Sequence, residues 1–437
     1  MNKIEILGTK ETLFVEHLDN GLDIYMVPKE AVKNFYITLN VKYGSIYTNY
    51  KWNGENYEDP KGIAHYLEHL MFNMPEGDAF NYFGELGSSV NAYTSNEVTC
   101  YEVFSNSKFK ENLSYLLKMV FTPYFNKELV NKERGIITEE IKMYDDDPAT
   151  LLFHNLYDNL FINDERKYLV GGTVEDIKNI KVDNIENAYK AFYQPSNISL
   201  IVTGNFNPEE VVAITSEVMS GFGFAENSLP ELLTYEEPFE VNNEYILKEM
   251  DNVNKSKVVL GYKLPKNNFK SLKLSKLELR LYLNLIMQIN FGNTSIINEE
   301  MKSNGILNKT IGFRLEETDE YFIPIFIAET DYPDYFVTRI KEVMNKIAVN
   351  DESIKRKTKV AISNLIWLFD DIESVNTSIQ DDILKYGTVI TDIYQIYKSL
   401  NVDTALKVLN KLDKKLLTVS VVKPTQDGSL SNSVGEE

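Results

Sequence analysis

At 437 residues the chain exceeds what one hydrophobic core usually holds, which implies at least two domains and excludes a peptide hormone or mini-protein. Hydrophobic residues make up 43% and charged residues 25%, a globular balance that excludes a disordered or collagenous chain. The net charge of −20, from 65 acidic against 45 basic side chains, opposes binding to phosphate backbones and anionic lipid, so nucleic acid is not an expected partner.

Cys100 is the single cysteine, so neither an intrachain disulfide nor a thiolate metal cage can form, and a cytoplasmic location is expected. The first eleven residues lack the apolar core and cleavage site of a secretory signal. No stretch approaches the roughly 18 uninterrupted apolar residues of a membrane span.

In chain order, residues 13–17 and 22–27 flank Asp19-Asn20-Gly21 and predict a hairpin, because Asn-Gly supplies the positive φ of a tight turn. Alternation over 35–43 predicts a strand that breaks at Gly44-Ser45 into a polar loop ending at Pro60. A helix follows over 62–73, then a strand over 98–105 and helices over 108–121 and 127–144. Three aspartates and Pro148 close that run. A helix over 183–193 leads into a strand at 198–203.

Shifting the chain by 220 residues sets Asn34 on Asn254, Val182-Asp183 on Val402-Asp403, and the strand at Ile198 on Thr418, the mark of a duplicated domain. Residues 226–244, with Ser228, Pro230, Glu236, Glu237 and Pro238, read as a linker. The expected architecture is α+β: two similar halves, 1–225 and 245–437, each an antiparallel sheet with helices packed on it. The polar tail at 426–437 reads as disordered.

The chemistry centres on His65-Tyr66-Leu67-Glu68-His69. On a helix, positions i and i+4 lie one above the other, so His65 and His69 can grip one metal ion, with Glu68 beside them. A catalytic zinc site needs a third protein ligand and leaves the fourth position for water. Glu133, Glu139 and Glu140 are the candidates; the seven-residue step from Glu133 to Glu140 spans about two helical turns and places both on one face, while Glu139 points elsewhere. We take Glu140 as the third ligand and Glu133 as a carboxylate behind it, orienting an imidazole or sharing a proton.

These residues resemble a known family. Gly62-Ile63-Ala64-His65-Tyr66-Leu67-Glu68-His69-Leu70-Met71-Phe72 is similar to the zinc helix of the insulinase or pitrilysin metallopeptidases, the inverzincins with the H-x-x-E-H motif. Residues 87–95 resemble the family's substrate-binding edge strand and residues 133–141 the helix of the last ligand. The resemblance continues through Tyr193-Gln194-Pro195-Ser196-Asn197 and the duplicated half, and the chain length points to the processing-peptidase branch, whose half-length chains pair into a clam-shell chamber. It implies one zinc per chain on His65, His69 and Glu140, with Glu68 as general base. It also implies peptide contacts from Asn91, Ala92 and Tyr93, and an apolar wall from Phe72.

The second half departs from the pattern: all four histidines lie at or before His154. Relatives carry an Arg and a Tyr seven residues apart around a glycine there; anchored on Gly305, those positions are Met301 and Asn308, with Lys302 the nearest cation. The implied protein is the zinc-bearing subunit of a heterodimeric endopeptidase that cuts short unfolded peptides, such as the leader of a ribosomally made peptide, with a homologous non-zinc subunit supplying Arg and Tyr. A non-catalytic peptide-binding scaffold and a homodimeric peptidase are the alternatives.

Overall fold

The structure is a computed structural model that describes residues 1–224 and 228–425; the expected tail disorder lies outside them. The chain divides into two compact units that are not consecutive in sequence. Among the described residues, one combines Met1–Lys142, Asp164–Glu236 and Thr358–Leu400; the other combines Met143–Asn163, Glu237–Lys357 and 401–425.

The first unit is built on a seven-stranded sheet. Its strands are β1 (Asn2–Glu5), β2 (Thr12–His17), β3 (Asp23–Pro28), β4 (Phe35–Val41), β5 (Ser89–Thr94), β6 (Thr99–Ser105) and β7 (Ile198–Gly204). The spatial order is β1-β2-β3-β7-β4-β6-β5, and β3–β7 is the one parallel pair in it. The β2–β3 turn is the expected one, with Gly21 at φ 91° and the Asn20 side chain accepting from the Leu22 amide. His17 meets Asp23 across this hairpin at 2.5 Å.

Strand pairing sorts the side chains into two faces, because the period is two. One face carries Ile24, Met26, Ile37, Leu39, Val41, Tyr101, Val103, Leu200 and Val202, and it joins a single apolar core with the helices packed on it. Among those helices are α1 (Ile63–Met71) and the segments Phe109–Phe121 and Val182–Phe192. The helix α2 (Lys127–Asp145) inserts Val130, Ile137 and Ile141 into the same core. Burial of this apolar area is the main stabilising term.

The second unit repeats the arrangement. β8 (Tyr245–Met250) runs parallel to β12 (Leu417–Pro424), and β9 (Lys257–Tyr262) pairs antiparallel with β12 and with β11 (Tyr321–Glu329). β10 (Gly312–Glu317) and the short strand Leu264–Pro265 both pair with β11. The order β8-β12-β9-β11-β10 matches β3-β7-β4-β6-β5, so the duplication inferred from sequence is present as topology, with one parallel pair in each otherwise antiparallel sheet.

Two helices seat far from their sequence neighbours. Pro148 does not simply end a helical run: α3 (Pro148–Leu160) starts there, with Asp147 capping the Thr150 amide and proline at a position that needs no amide donor. Leu152, Leu156 and Leu160 of α3 pack on Val259, Ile323, Ile325 and Val422 of the second unit. Conversely, α4 (Ile372–Tyr386) belongs to the first unit, where Val375 and Ile379 pack on Leu13, Val15, Tyr25, Val27 and Ile201.

The segment read as a linker is anchored. Glu231–Leu232 adds to the strand Asn49–Trp52 of the first unit, while Glu237 is buried in the second against the fully buried Lys263, at 2.5 Å. Lys263 also donates to the carbonyls of Leu160, Pro238 and Glu240. Burial works against the Glu237 carboxylate, but Lys263 and the amides of Ile162 and Asn163 more than offset it and hold its pKa below the ordinary value. Removing one partner of such a pair leaves an uncompensated buried charge. Lys263→Met is therefore expected to destabilise the second unit by about 3 kcal/mol. Denaturant unfolding should show it, with Lys263→Met/Glu237→Gln recovering part of the loss; additive single-mutant effects would contradict the pairing.

Candidate metal centre

The helix α1 carries the histidines, and its entry is fixed by backbone packing. Gly62 precedes it at φ 81°, and a Cβ there would sit 2.2 Å from the carbonyl oxygen of Gly171. Gly172, at φ 69°, would place a Cβ 2.7 Å from the Lys61 carbonyl oxygen. Only glycine permits both the left-handed backbone and this approach. Ile63, Ala64, Tyr66, Leu67, Leu70 and Met71 bury the rest of the helix surface, which leaves His65 and His69 on the remaining face.

The two imidazoles stand with ring centroids 4.7 Å apart. From α2, the Glu140 carboxylate approaches His65 Nε2 at 3.7 Å and His69 Nε2 at 3.3 Å. One donor atom from each of the three residues falls within 4.8 Å of the others. Glu133, about two turns back on the same face of α2, is buried and reaches His69 Nδ1 at 3.6 Å, while the Asn73 amide approaches its other oxygen at 3.4 Å. Glu139 is on the solvent side, paired with Lys142. The helix is held in this phase by Arg134, which donates to the carbonyls of Ile177 and Ile180, and by the Tyr66 hydroxyl on the Val130 carbonyl.

Glu68 is buried beside the pair, and the Thr94 hydroxyl donates to its Oε2 at 2.6 Å. Burial raises its pKa to about 7, against the opposing effects of Thr94 and His69. Burial, with the neighbouring His69 charge, lowers the His65 pKa to about 4. For His69 burial acts the same way, but Glu133, Glu140 and Glu68 outweigh it and hold its pKa up to about 9. The pocket thus gathers three carboxylates around two imidazoles and compensates by retaining protons.

This donor set fits a divalent metal. Ligand atoms around one tetrahedral zinc at about 2.1 Å stand roughly 3.4 Å apart; here Glu140 Oε1 lies 3.7 Å from His65 Nε2, Glu140 Oε2 lies 3.3 Å from His69 Nε2, and one donor atom from each residue falls within 4.8 Å of the others. Those gaps are long for direct hydrogen bonds. His65 Nδ1 is buried without a hydrogen-bond partner, against the backbone of Gly171, so its other nitrogen is the one that faces Glu140.

The residues read as peptide contacts lie on β5, an edge strand whose one ladder partner among the described residues is β6. Ala92 and Thr94 point to the core face, toward α1, whereas the Tyr93 hydroxyl donates to Gln380 of α4 on the opposite face. Phe72 ends α1 and is buried under Phe80, its ring stacked at 4.4 Å, so the exposed aromatic surface there belongs to Phe80. In the second unit Met301 is fully buried and Asn308 is exposed. The sequence reading missed Thr94, although it lies two residues beyond Ala92 on the same face. It also missed Asn73, Phe80 and the Gly171-Gly172 contact, which carry no local signature.

Residues 29–173 match the family described as Insulinase (Peptidase family M16), and residues 179–351 match the one described as Peptidase M16 inactive domain. A Bacillus subtilis (strain 168) protein named uncharacterized zinc protease YmfH is 30% identical over 432 residues, covering 96% of this chain and 99% of that one. The probable mitochondrial-processing peptidase subunit beta of Arabidopsis thaliana is 20% identical, over 97% of this chain and 80% of its own length. The crystal structure of a putative M16-like peptidase from Alicyclobacillus acidocaldarius superposes with a TM-score of 0.89 at 23% identity, covering 96% of this chain and all of that one. A protease from Helicobacter pylori gives 0.79 at 20% identity, covering 94% and 99%. Shared across nearly its whole length with a zinc protease, and with its two halves matched in family order, this chain belongs to the insulinase family of zinc metallopeptidases, peptidase family M16.

Proposed function

We propose that the chain is a zinc-dependent endopeptidase that hydrolyses extended peptides, with His65, His69 and Glu140 as metal ligands and one zinc per chain. The observation that carries this reading is the spacing of Glu140 from both imidazole nitrogens, next to the buried Glu68. A bound zinc supplies positive charge that polarises a peptide carbonyl and acidifies a water. Glu68 takes the proton of the attacking water and returns it to the leaving amine. Glu68 is buried beside both imidazoles and is held by the Thr94 hydroxyl, which places its carboxyl group for both transfers. Glu133 acts behind His69, orienting the ring through Nδ1. The free edge of β5 offers backbone donors and acceptors to an extended peptide, which gives affinity with little demand on sequence; Asn91, Ala92 and Tyr93 lie along it.

The finer reading is a heterodimer. Met301 is fully buried and uncharged, and Asn308 is short, so neither stabilises charge developing on a substrate carbonyl. A homologous chain without the zinc motif would supply the Arg and Tyr, and losing such donors typically costs about 10²- to 10³-fold in rate. Short unfolded peptides, including leaders of ribosomally made peptides, are the matching substrates. The cytoplasm is the matching compartment for a chain whose one cysteine is buried. Among the described residues no helix is long and apolar enough to cross a membrane.

Three outcomes are expected. Glu68→Gln should lower kcat on a quenched fluorescent peptide by about 10²- to 10⁴-fold while zinc content stays at one per chain; unchanged turnover would remove Glu68 from the chemistry. Adding zinc to the metal-free chain should raise its Tm, and the rise should vanish in Glu140→Gln; an equal rise in that variant would exclude Glu140 as a ligand. Cleavage should need a co-purified homologous chain. Full activity from this chain alone would favour the homodimer, and inactivity in every pairing despite bound zinc would favour a peptide-binding scaffold.

A further inference from the structure

The face of the first sheet turned away from its main core is unusually polar, and helix α4 covers it. Register places Tyr93 of β5 opposite Cys100, Cys100 opposite Asn40, and Asn40 opposite Ser199, so one row of side chains crosses β5, β6, β4 and β7. The next row holds Asn91, Glu102, Thr38 and Ile201.

α4 meets these rows with two stripes at helical spacing. Val375, Ile379 and Ile383 form an apolar stripe over the β1–β3 end. Asn376 and Gln380, one turn apart, form a polar stripe that is 1% and 5% exposed. Gln380 donates through Nε2 to the side-chain Oδ1 of Asn40 and accepts from the Tyr93 hydroxyl at 2.8 Å. Asn40 donates to Thr38 at 2.9 Å, Thr38 to Asn376 at 2.7 Å, and Asn376 to the Ile201 carbonyl at 3.2 Å. A connected chain of hydrogen bonds therefore runs under the sheet and ends at the edge strand.

The contrast with α3 is informative. In the second unit α3 is seated mainly by Leu152, Leu156 and Leu160, with a polar contact to the sheet from Asn159 to the Val419 carbonyl at 3.4 Å. Apolar packing is non-directional, whereas a fully paired buried polar row fixes position and angle. The edge strand has one ladder partner, so its free side is steadied only by what its side chains touch. Thr94 holds the front through Glu68, and Tyr93 holds the back through Gln380.

We propose that Gln380 is a positioning residue for the peptide-binding edge: through Tyr93 and Asn40 it clamps β5 from behind, so that an extended peptide pairs with a strand already ordered for it. This rests on the reading of β5 as the peptide-binding strand. Without the clamp β5 must be ordered at the moment of binding, and that cost appears in KM while the groups that act on the scissile bond are unchanged.

The test uses the full chain, with its homologous partner if activity needs one, and compares wild type, Gln380→Met, Tyr93→Phe and the double variant. Gln380→Met should raise KM for a quenched peptide about 5- to 10-fold with kcat within twofold. Tyr93→Phe should raise KM similarly, and the double variant should be no worse than the worse single. Hydrogen exchange supplies a readout that needs no turnover: amides of residues 89–94 should exchange faster in both single variants, with β4 and β6 unchanged. Should Gln380→Met fail to fold, Tyr93→Phe removes the same bond by deleting one hydroxyl. Unaltered exchange in 89–94, additive effects, or a fall in kcat or Tm at constant KM would overturn the clamp. If exchange rises as expected while wild type cleaves nothing, the clamp on the strand stands and the peptidase reading fails.

Discussion

Three carboxylates, Glu68, Glu133 and Glu140, are drawn into a half-buried pocket around two imidazoles, and the surrounding structure depends on how that charge is balanced. Buried charges must be paired, neutralised or bound to a metal. Here the chain uses backbone geometry to bring them together: glycines at 62 and 172 let one loop press against the entry to α1, and Arg134 locks the phase of α2. The two Glu140 oxygens then stand 3.3 and 3.7 Å from one nitrogen of each imidazole, close to the roughly 3.4 Å between ligand atoms that share one tetrahedral ion.

The same pocket is joined to the sheet at its edge. Thr94 belongs at once to β5 and to the hydrogen bond on Glu68, so the edge strand and the buried carboxyl group are joined directly. Behind the strand, the polar row from Tyr93 to Asn376 ties that edge to α4. Front and back of a single six-residue strand are thus fixed by different chemistries.

What the sequence made legible was what local spacing encodes. The i, i+4 histidines and the seven-residue step from Glu133 to Glu140 depend only on helix geometry, and the structure places these side chains together. The hairpin at Gly21 and the duplicated order of strands were readable for the same reason. The seating of α3 and α4 was not, because each packs against strands remote in sequence; Tyr93 and Gln380 are 287 positions apart. Asn376 and Gln380 carry no signature in the sequence, since a polar stripe on a helix gives no sign that the sheet beneath it is polar too. Phe72 was read as a wall, but Phe80 covers it, a stacking that no spacing rule predicts. Pro148 illustrates the ambiguity of a breaker: the same residue that ends one helix starts the next when an aspartate precedes it.

The claim on which the rest stands is that two imidazole nitrogens and one carboxylate hold a zinc ion. X-ray absorption at the zinc edge of the zinc-loaded chain addresses it directly. The account predicts a four-coordinate site with nitrogen and oxygen neighbours at about 2.0–2.2 Å and the outer-shell signature of two imidazoles. A six-coordinate site made of oxygen alone, or one showing a single imidazole, would contradict it.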